Sequence, residues 1–328
     1  ELHMRALVCR EFGSFEDLVI EEWDDPAPGA GEIVFDVKAA GLKFADILGI
    51  AGQYQVKAPQ PFVAGNEAAG IVTAVGDGVR GFKPGDRIIG ALRGGAFAEK
   101  SVVAASAAIP LPDALDFSQG AAFTVAYGTS YHALKQGANL QPGETVLVLG
   151  AAGGVGYAAV DLARAMGARV IAAASTDEKL EFARHGGAND TINYSTTSLR
   201  DAVKELTDGQ GVDVVYDPVG GELAGQALRS LKWHGRLLVV GFAAGDIPQF
   251  PANILLLKEA SIVGVWYGAW CENNPQEMLE NASELATMAT SGKLRLAKPR
   301  AFAFEDFAEA FRTISERRAL GKVVLTFD

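Results

Sequence analysis

The stretch VLVLGAAGGVGYAAV, residues 146–160, decides how this chain is read. Residues 146–149 form an apolar run with no polar position to offer water, as a strand covered on both faces requires. The run stops at Gly150. Six residues, Ala151, Ala152, Gly153, Gly154, Val155 and Gly156, then lead into an Ala-rich segment with apolar residues at helical spacing, which ends at Gly167.

Strand, glycine turn and helix in this order form the setting of the dinucleotide-binding fingerprint G-x-G-x-x-G, written here as A-x-G-x-x-G through Ala151, Gly153 and Gly156. Gly153 lets a pyrophosphate approach the backbone, and Gly156 lets helix and strand pack closely. The first N–H groups of the helix then face the phosphates with the positive end of the helix dipole behind them. The expected contacts are Ala152, Gly153, Gly154, Val155 and Gly156.

The second strand, ARVIAAAS, indicates which dinucleotide. An NAD site ends this strand with an Asp or Glu on the ribose 2′-OH. Here the end is Ala173, Ala174 and Ser175. Asp177 comes later and reads as a cap of the next helix, alongside Thr176. Ser175 offers a hydroxyl, and Lys179 follows one helical turn on; a 2′-phosphate wants such donors and a cation. The pattern favours NADPH.

Around this centre, strands and helices alternate. RVIAAAS, DTINY, VDVVYDPVG and GRLLVVGF read as strands with helical segments between them, which predicts a parallel sheet covered on both faces. Residues 4 to about 110 have a different texture, of short β-branched runs broken by Gly and by the Pro84-Gly85-Asp86 turn, and predict a barrel-like β module. The tail, EDFAEAFRTISERRALGKVVLTFD, reads as a helix and a strand returning to that module. Residues 1–3 read as a cloning remnant ahead of Met4 and are set aside.

Composition narrows the classes. The chain has 328 residues, 49% hydrophobic, which is enough for two domains. Its net charge of −11 argues against a nucleic-acid partner. There is no apolar run of membrane-spanning length and no signal-peptide pattern. Two cysteines, Cys9 and Cys271, read as reduced thiols of a cytoplasmic protein. No G-x-S-x-G supports hydrolase chemistry.

The phrases AAGLKFADILGIAGQYQ, VAGNEAAGIVTAVGDGV, FKPGDRI, YGTSYHAL and the terminal GKVVL, taken with the glycine turn, resemble the medium-chain dehydrogenase/reductase superfamily over nearly the whole chain. The resemblance implies an α/β fold with a GroES-like β-barrel-type catalytic domain (4–125), a Rossmann doubly wound parallel-sheet cofactor domain (126–265) and a return to the catalytic domain (266–328). In zinc members the metal ligands stand in G-x-C and G-H-E phrases and ahead of the YG helix. This chain has Lys43, Asn66 and Ala121 there, none a zinc ligand type, and the four-Cys structural zinc lobe is missing. It therefore resembles the zinc-free quinone oxidoreductase branch related to zeta-crystallin, and no metal is expected. In that branch Ser175, Lys179 and Tyr194 match positions at the 2′-phosphate. Thr129 and Phe242 match positions near the nicotinamide, and Lys322 reaches the cofactor from the tail. The resemblance also implies a homodimer formed through the cofactor domain.

Two residues are candidates for acid chemistry. Lys43 stands where zinc-free relatives often carry Asn. It could hydrogen-bond an acceptor carbonyl, donate a proton or bind an anionic substrate. Tyr54 matches a tyrosine proposed as proton donor in enoyl-thioester reductases, which share the Gly65-Asn66-Glu67 phrase. Asp46 reads as structural. Trp266, Tyr267 and Trp270 either line an acceptor pocket or pack between subunits. Three functions remain open: an NADPH-dependent reductase passing hydride directly to a quinone or conjugated enone, an enoyl-thioester (enoyl-CoA) reductase, and an NADPH-binding crystallin-like or interaction protein with little catalysis.

Overall fold

The computed structural model describes residues 3–328. The stretch set aside at the start lies partly outside these residues: Glu1 and Leu2 are not described, whereas His3 opens the first strand. The chain divides into two compact units. One runs to Val125 and takes in Lys298–Asp328; the other is Ala126–Ala297.

The first unit is built from short strands, as the Gly and Pro punctuation predicts. In chain order they are β1 (His3–Cys9), β2 (Val19–Asp24), β3 (Glu32–Leu42), β4 (Phe62–Val63), β5 (Glu67–Val75), β6 (Arg87–Ala91), β7 (Lys100–Ala104) and β8 (Ala108–Pro110). The Pro84 turn joins β5 to β6, with Asp86 N–H donating to the Lys83 carbonyl at 3.1 Å. From the tail, β15 (Arg300–Ala303) and β16 (Val323–Thr326) complete a seven-stranded sheet in which β16 pairs antiparallel with β3. A three-stranded sheet, β2-β1-β4, accompanies it. Phe35, Phe97, Phe304 and Phe311 are fully buried in the common core. The tail thus closes the unit that the N-terminal strands begin.

The second unit follows from the apolar runs. Its strands are β9 (Thr145–Val148), β10 (Arg169–Ala174), β11 (Asp190–Asn193), β12 (Val212–Asp217), β13 (Leu231–Val239) and β14 (Ser261–Gly264). All pair parallel in the order β11-β10-β9-β12-β13-β14. The order reverses direction at β9. Right-handed crossovers therefore place helices on opposite faces of the two halves, and the switch point falls at the carboxyl end of β9, where the glycine turn stands. Val146, Leu147 and Val148 are wholly buried, as a central strand demands.

One boundary differs from the sequence reading. Residues 266–297 belong to the second unit and not to the return. Helix Pro275–Thr290 is held by side chains that periodicity does not show: Tyr131 hydroxyl to Glu284, and Lys135 Nζ to Asn281 Oδ1 at 3.0 Å and to Glu284 at 3.0 Å. The chain beyond that helix is pinned by Asp161. This buried carboxylate accepts Arg295 N–H at 2.8 Å, the Tyr127 hydroxyl at 2.8 Å and Arg164 at 2.7 Å.

Candidate active site

The glycine turn holds its shape through the backbone. Helix Gly154–Ala165 starts from Gly153, whose N–H donates to the Gly150 carbonyl at 3.0 Å and whose carbonyl accepts from Tyr157 at 2.9 Å. A Cβ built on Gly156 would lie 2.1 Å from the Gly150 carbonyl oxygen, so no other residue closes this turn. A Cβ on Gly153 would meet only that same oxygen, at 3.5 Å. Gly154, Val155 and Gly156 carry the N–H groups that a helix start leaves without intrahelical partners, and Ala152 lies buried just before them. Ser130, on helix Phe117–His132, supports the turn by donating to the Val155 carbonyl at 2.7 Å. Thr129 is its half-buried neighbour on that helix.

The ends of β10 and β11 lie side by side, with Ala174 in register with Asn193. Ser175 and Tyr194, the next residue of each strand, are thus neighbours, and Tyr194 N–H donates to the Ala174 carbonyl at 3.1 Å. Lys179 Nζ donates to Ser175 Oγ at 3.2 Å. Thr176 caps the helix that follows, accepting from Lys179 N–H at 3.2 Å. The Asp177 carboxylate accepts from Asn193 Nδ2 at 3.0 Å. The end of β10 therefore gathers a hydroxyl and an ammonium but no carboxylate for a ribose 2′-OH. Phe242 follows β13 and closes over the end of β12, its ring 3.2 Å from where a Cβ on Gly220 would be. A tight turn, free helix N–H groups and this donor pair fit a nicotinamide dinucleotide.

A second cluster, of side chains, lies in the first unit. Lys43 follows β3 and stands at the N-terminal cap position of helix Phe44–Ile50. Its N–H donates to Asp46 Oδ2 at 2.9 Å and its Nζ donates to Asn66 Oδ1 at 3.2 Å. Asn66 in turn donates from Nδ2 to the Leu92 carbonyl at 3.3 Å. Asp46 is buried, which pushes its carboxyl above the usual range while the Lys43 charge pulls it back. Tyr54 is half-buried. Burial first, then the Asp46 charge, raises its phenol above the ordinary value, so it stays a proton-bearing donor at neutral pH.

Lys322 does something the sequence did not suggest. Its ammonium lies 2.9 Å from Oε1 of the fully buried Glu67 and donates to the Leu42 carbonyl at 3.3 Å. Glu67 Oε2 accepts Val125 N–H at 2.6 Å. The lysine expected at the cofactor is thus tied into a buried ion pair of the first unit. Glu67 was missed because a Glu in a β-strand reads as solvent-facing; only its place in the Gly65-Asn66-Glu67 phrase marks it. Among the described residues, Thr124 Oγ1 is buried without a hydrogen-bond partner. Of the three aromatics after β14, Trp270 stacks on His132 with centroids 4.0 Å apart, Tyr267 lies against Gly128, and Trp266 stays exposed.

The positions that hold zinc in related enzymes do not fit the metal. The Lys43 ammonium has no lone pair to give while it donates to Asn66, and Ala121 has no donor atom at all. Among the described residues no group of three or more His, Cys, Asp or Glu side chains is placed to hold a metal ion, and no helix is long and apolar enough to cross a membrane.

Residues 29–113 match the family "Alcohol dehydrogenase GroES-like domain", and residues 154–286 match "Zinc-binding dehydrogenase". A quinone oxidoreductase-like protein 2 homolog of Nematostella vectensis is 43% identical over 325 residues, covering 98% of this chain and 88% of that protein. This chain belongs to the quinone oxidoreductase branch of the medium-chain dehydrogenase/reductase superfamily. It is an oxidoreductase of that superfamily's two-domain α/β fold. The crystal structure of Escherichia coli quinone oxidoreductase complexed with NADPH superposes with a TM-score of 0.90 at 30% identity, over 99% of both chains. The CurK enoyl reductase superposes with a TM-score of 0.89 at 28% identity, again over 99% of both chains.

Proposed function

We propose that the chain is an NADPH-dependent reductase that delivers hydride directly to a quinone or a conjugated enone. The observation that carries this reading is the Lys179–Ser175 pair at the end of β10, 3.2 Å apart, where an NAD site would present a carboxylate. The bound cofactor supplies the hydride. The chain supplies the rest. Residues 152–156 hold the pyrophosphate, Ser175, Lys179 and Tyr194 hold the 2′-phosphate, and Thr129 and Phe242 flank the nicotinamide. In the first unit, Lys43 donates a hydrogen bond to the acceptor oxygen on which charge develops, and Tyr54 holds a proton for it. An acceptor that is already electrophilic needs no Lewis acid, in keeping with a zinc position that holds an ammonium.

A second reading is reduction of an enoyl thioester with Tyr54 as donor. The likeness to the CurK enoyl reductase and the raised Tyr54 phenol favour it. We also propose a homodimer joined through the cofactor unit. Among the described residues β14 is an edge strand, paired with β13 alone, and Trp233, Leu256 and Leu257 lie exposed in that unit.

One assay tests these readings. NADPH consumption is followed against a 1,2-quinone, a 1,4-quinone, a simple enone and crotonyl-CoA, with NADH as the control and EDTA present. Turnover of a quinone or enone with NADPH preferred supports the first reading; turnover confined to crotonyl-CoA selects the second. Lys179→Met raises the Kd for NADPH by about ten-fold and leaves that for NADH unchanged. An equal effect on both cofactors removes Lys179 from the 2′-phosphate.

A further inference from the structure

We propose that Asn66 is a positioning residue that holds the Lys43 ammonium in one place, with its remaining N–H bonds left for the acceptor. The inference rests on the reading above that Lys43 meets the acceptor oxygen.

The geometry starts with the backbone. Gly65 sits at φ +92°, and a Cβ there would fall 2.8 Å from the Ala96 and Phe97 side chains, so the chain before Asn66 is fixed by close packing. Asn66 and Leu92 are then joined twice. Leu92 N–H donates to the Asn66 carbonyl at 2.7 Å, and Asn66 Nδ2 donates to the Leu92 carbonyl at 3.3 Å. A carbonyl only accepts, so Nδ2 must face Leu92 and Oδ1 must face away from it. Oδ1 is the atom that meets Lys43 Nζ, at 3.2 Å, and an ammonium only donates. Both partners demand the same orientation of the amide, which therefore has no alternative flip. At its other end Lys43 is held by the Asp46 carboxylate on its N–H, at 2.9 Å.

A lysine side chain has four rotatable carbons and ordinarily samples many rotamers. Held at both ends, Lys43 presents its charge without that reorganisation, the condition under which a donor to a developing oxyanion is most effective. One of the three ammonium N–H bonds goes to Asn66, leaving two for acceptor oxygen. This favours acceptors that offer two neighbouring oxygens, a 1,2-quinone or a carboxylate-bearing enone, over those that offer one.

A double-mutant cycle tests the proposal. Asn66→Leu, Lys43→Met and the double variant are assayed on the best acceptor, with the NADPH Kd measured for each. Asn66→Leu is expected to lower kcat by about ten-fold in the native background and to cost nothing further in the Lys43→Met background, because it acts only through Lys43. NADPH Kd should stay unchanged throughout. Equal losses in both backgrounds, or no loss in either, overturn the proposal. Asn66→Ser, compared in the same way, serves where the leucine variant does not fold. Failure of the underlying reading shows separately, as tight NADPH binding with no turnover by the native protein. In that event 1H–15N correlation of the lysine ammonium groups decides. A Lys43 signal protected from exchange and lost in Asn66→Leu or Asn66→Ser upholds the positioning, and one unaffected by them sinks it.

Discussion

The two units carry their chemistry in different materials. In the second unit the pyrophosphate part of the candidate site is made of backbone: a glycine turn and the first N–H groups of helix Gly154–Ala165, beside the Lys179–Ser175 side-chain pair at the end of β10. In the first the site is made of side chains: Lys43, whose ammonium is held by Asn66 and whose backbone N–H is held by Asp46, and Lys322, held by Glu67. Backbone sites are defined by where a Cβ is forbidden. Side-chain sites are defined by which polar groups have left water together. The first restricts residue type to glycine and is visible in one sequence; the second restricts only the pairing.

The largest effect expected tests the side-chain unit. Lys322→Met leaves the Glu67 carboxylate buried and uncompensated, at 1% exposure. Removing one partner of such a pair costs about 3–5 kcal/mol. Denaturant unfolding should show that loss in the first unit, while NADPH Kd, measured below the transition, stays within about two-fold, since 0.4 kcal/mol or less separates such values. A large rise in Kd with little loss of stability would return Lys322 to the cofactor and undo the contrast.

The next test bears on the backbone unit and uses two glycines three residues apart. In Gly156→Ala the new Cβ would fall 2.1 Å from the Gly150 carbonyl, so the turn must open. NADPH affinity should fall by about 100-fold or more, and thermal stability should fall with it, since forcing atoms into a closed contact costs about 1–3 kcal/mol. In Gly153→Ala the Cβ has room, with its nearest neighbour at 3.5 Å. Stability should hold and only affinity should drop. Equal behaviour of the two variants in both measurements would mean that the turn is merely structural.

This contrast explains what the sequence made legible. The parallel sheet, its switch point and the turn follow from apolar runs and from the glycines of the turn, of which Gly156 has no room for a Cβ. The missing carboxylate at the end of β10 follows from three residues, Ala173, Ala174 and Ser175. The extent of the second unit was not legible past residue 265. Helix Pro275–Thr290 belongs there through Tyr131 and Lys135, and the chain beyond it through Asp161, and a sequence does not say which polar residues meet. Lys43 could be singled out by its position in a familiar phrase, but its amide partner Asn66 was visible as a position that cannot bind zinc and as part of the Gly65-Asn66-Glu67 phrase, not as a partner of Lys43. Lys322 and Glu67 lie 255 residues apart and pair only once β16 has docked on β3.

The smallest effect sharpens the comparison from within the second unit, which has side-chain pairs of its own. Arg236 holds Glu144 through two hydrogen bonds of 2.8 Å and also donates to the Ala138 carbonyl at 2.7 Å. The Arg236 hydrogen bonds, ahead of every other influence, hold the Glu144 carboxyl below the usual carboxylate range. A group whose pKa is depressed on folding stabilises the protein above its unfolded pKa, and that contribution disappears as pH falls through the folded one. Glu144→Gln should therefore lower stability by about 1–2 kcal/mol at pH 7, with the gap to the native protein narrowing as the pH falls below about 4.5, the ordinary range of a glutamate. Thermal unfolding across that range measures it. NADPH Kd at pH 7 should not change, because this pair braces the sheet and not the turn. A gap that persists at acid pH would show that the glutamate acts through packing and not through its charge. The polar pairs of the second unit would then be as indifferent to pH as its glycines.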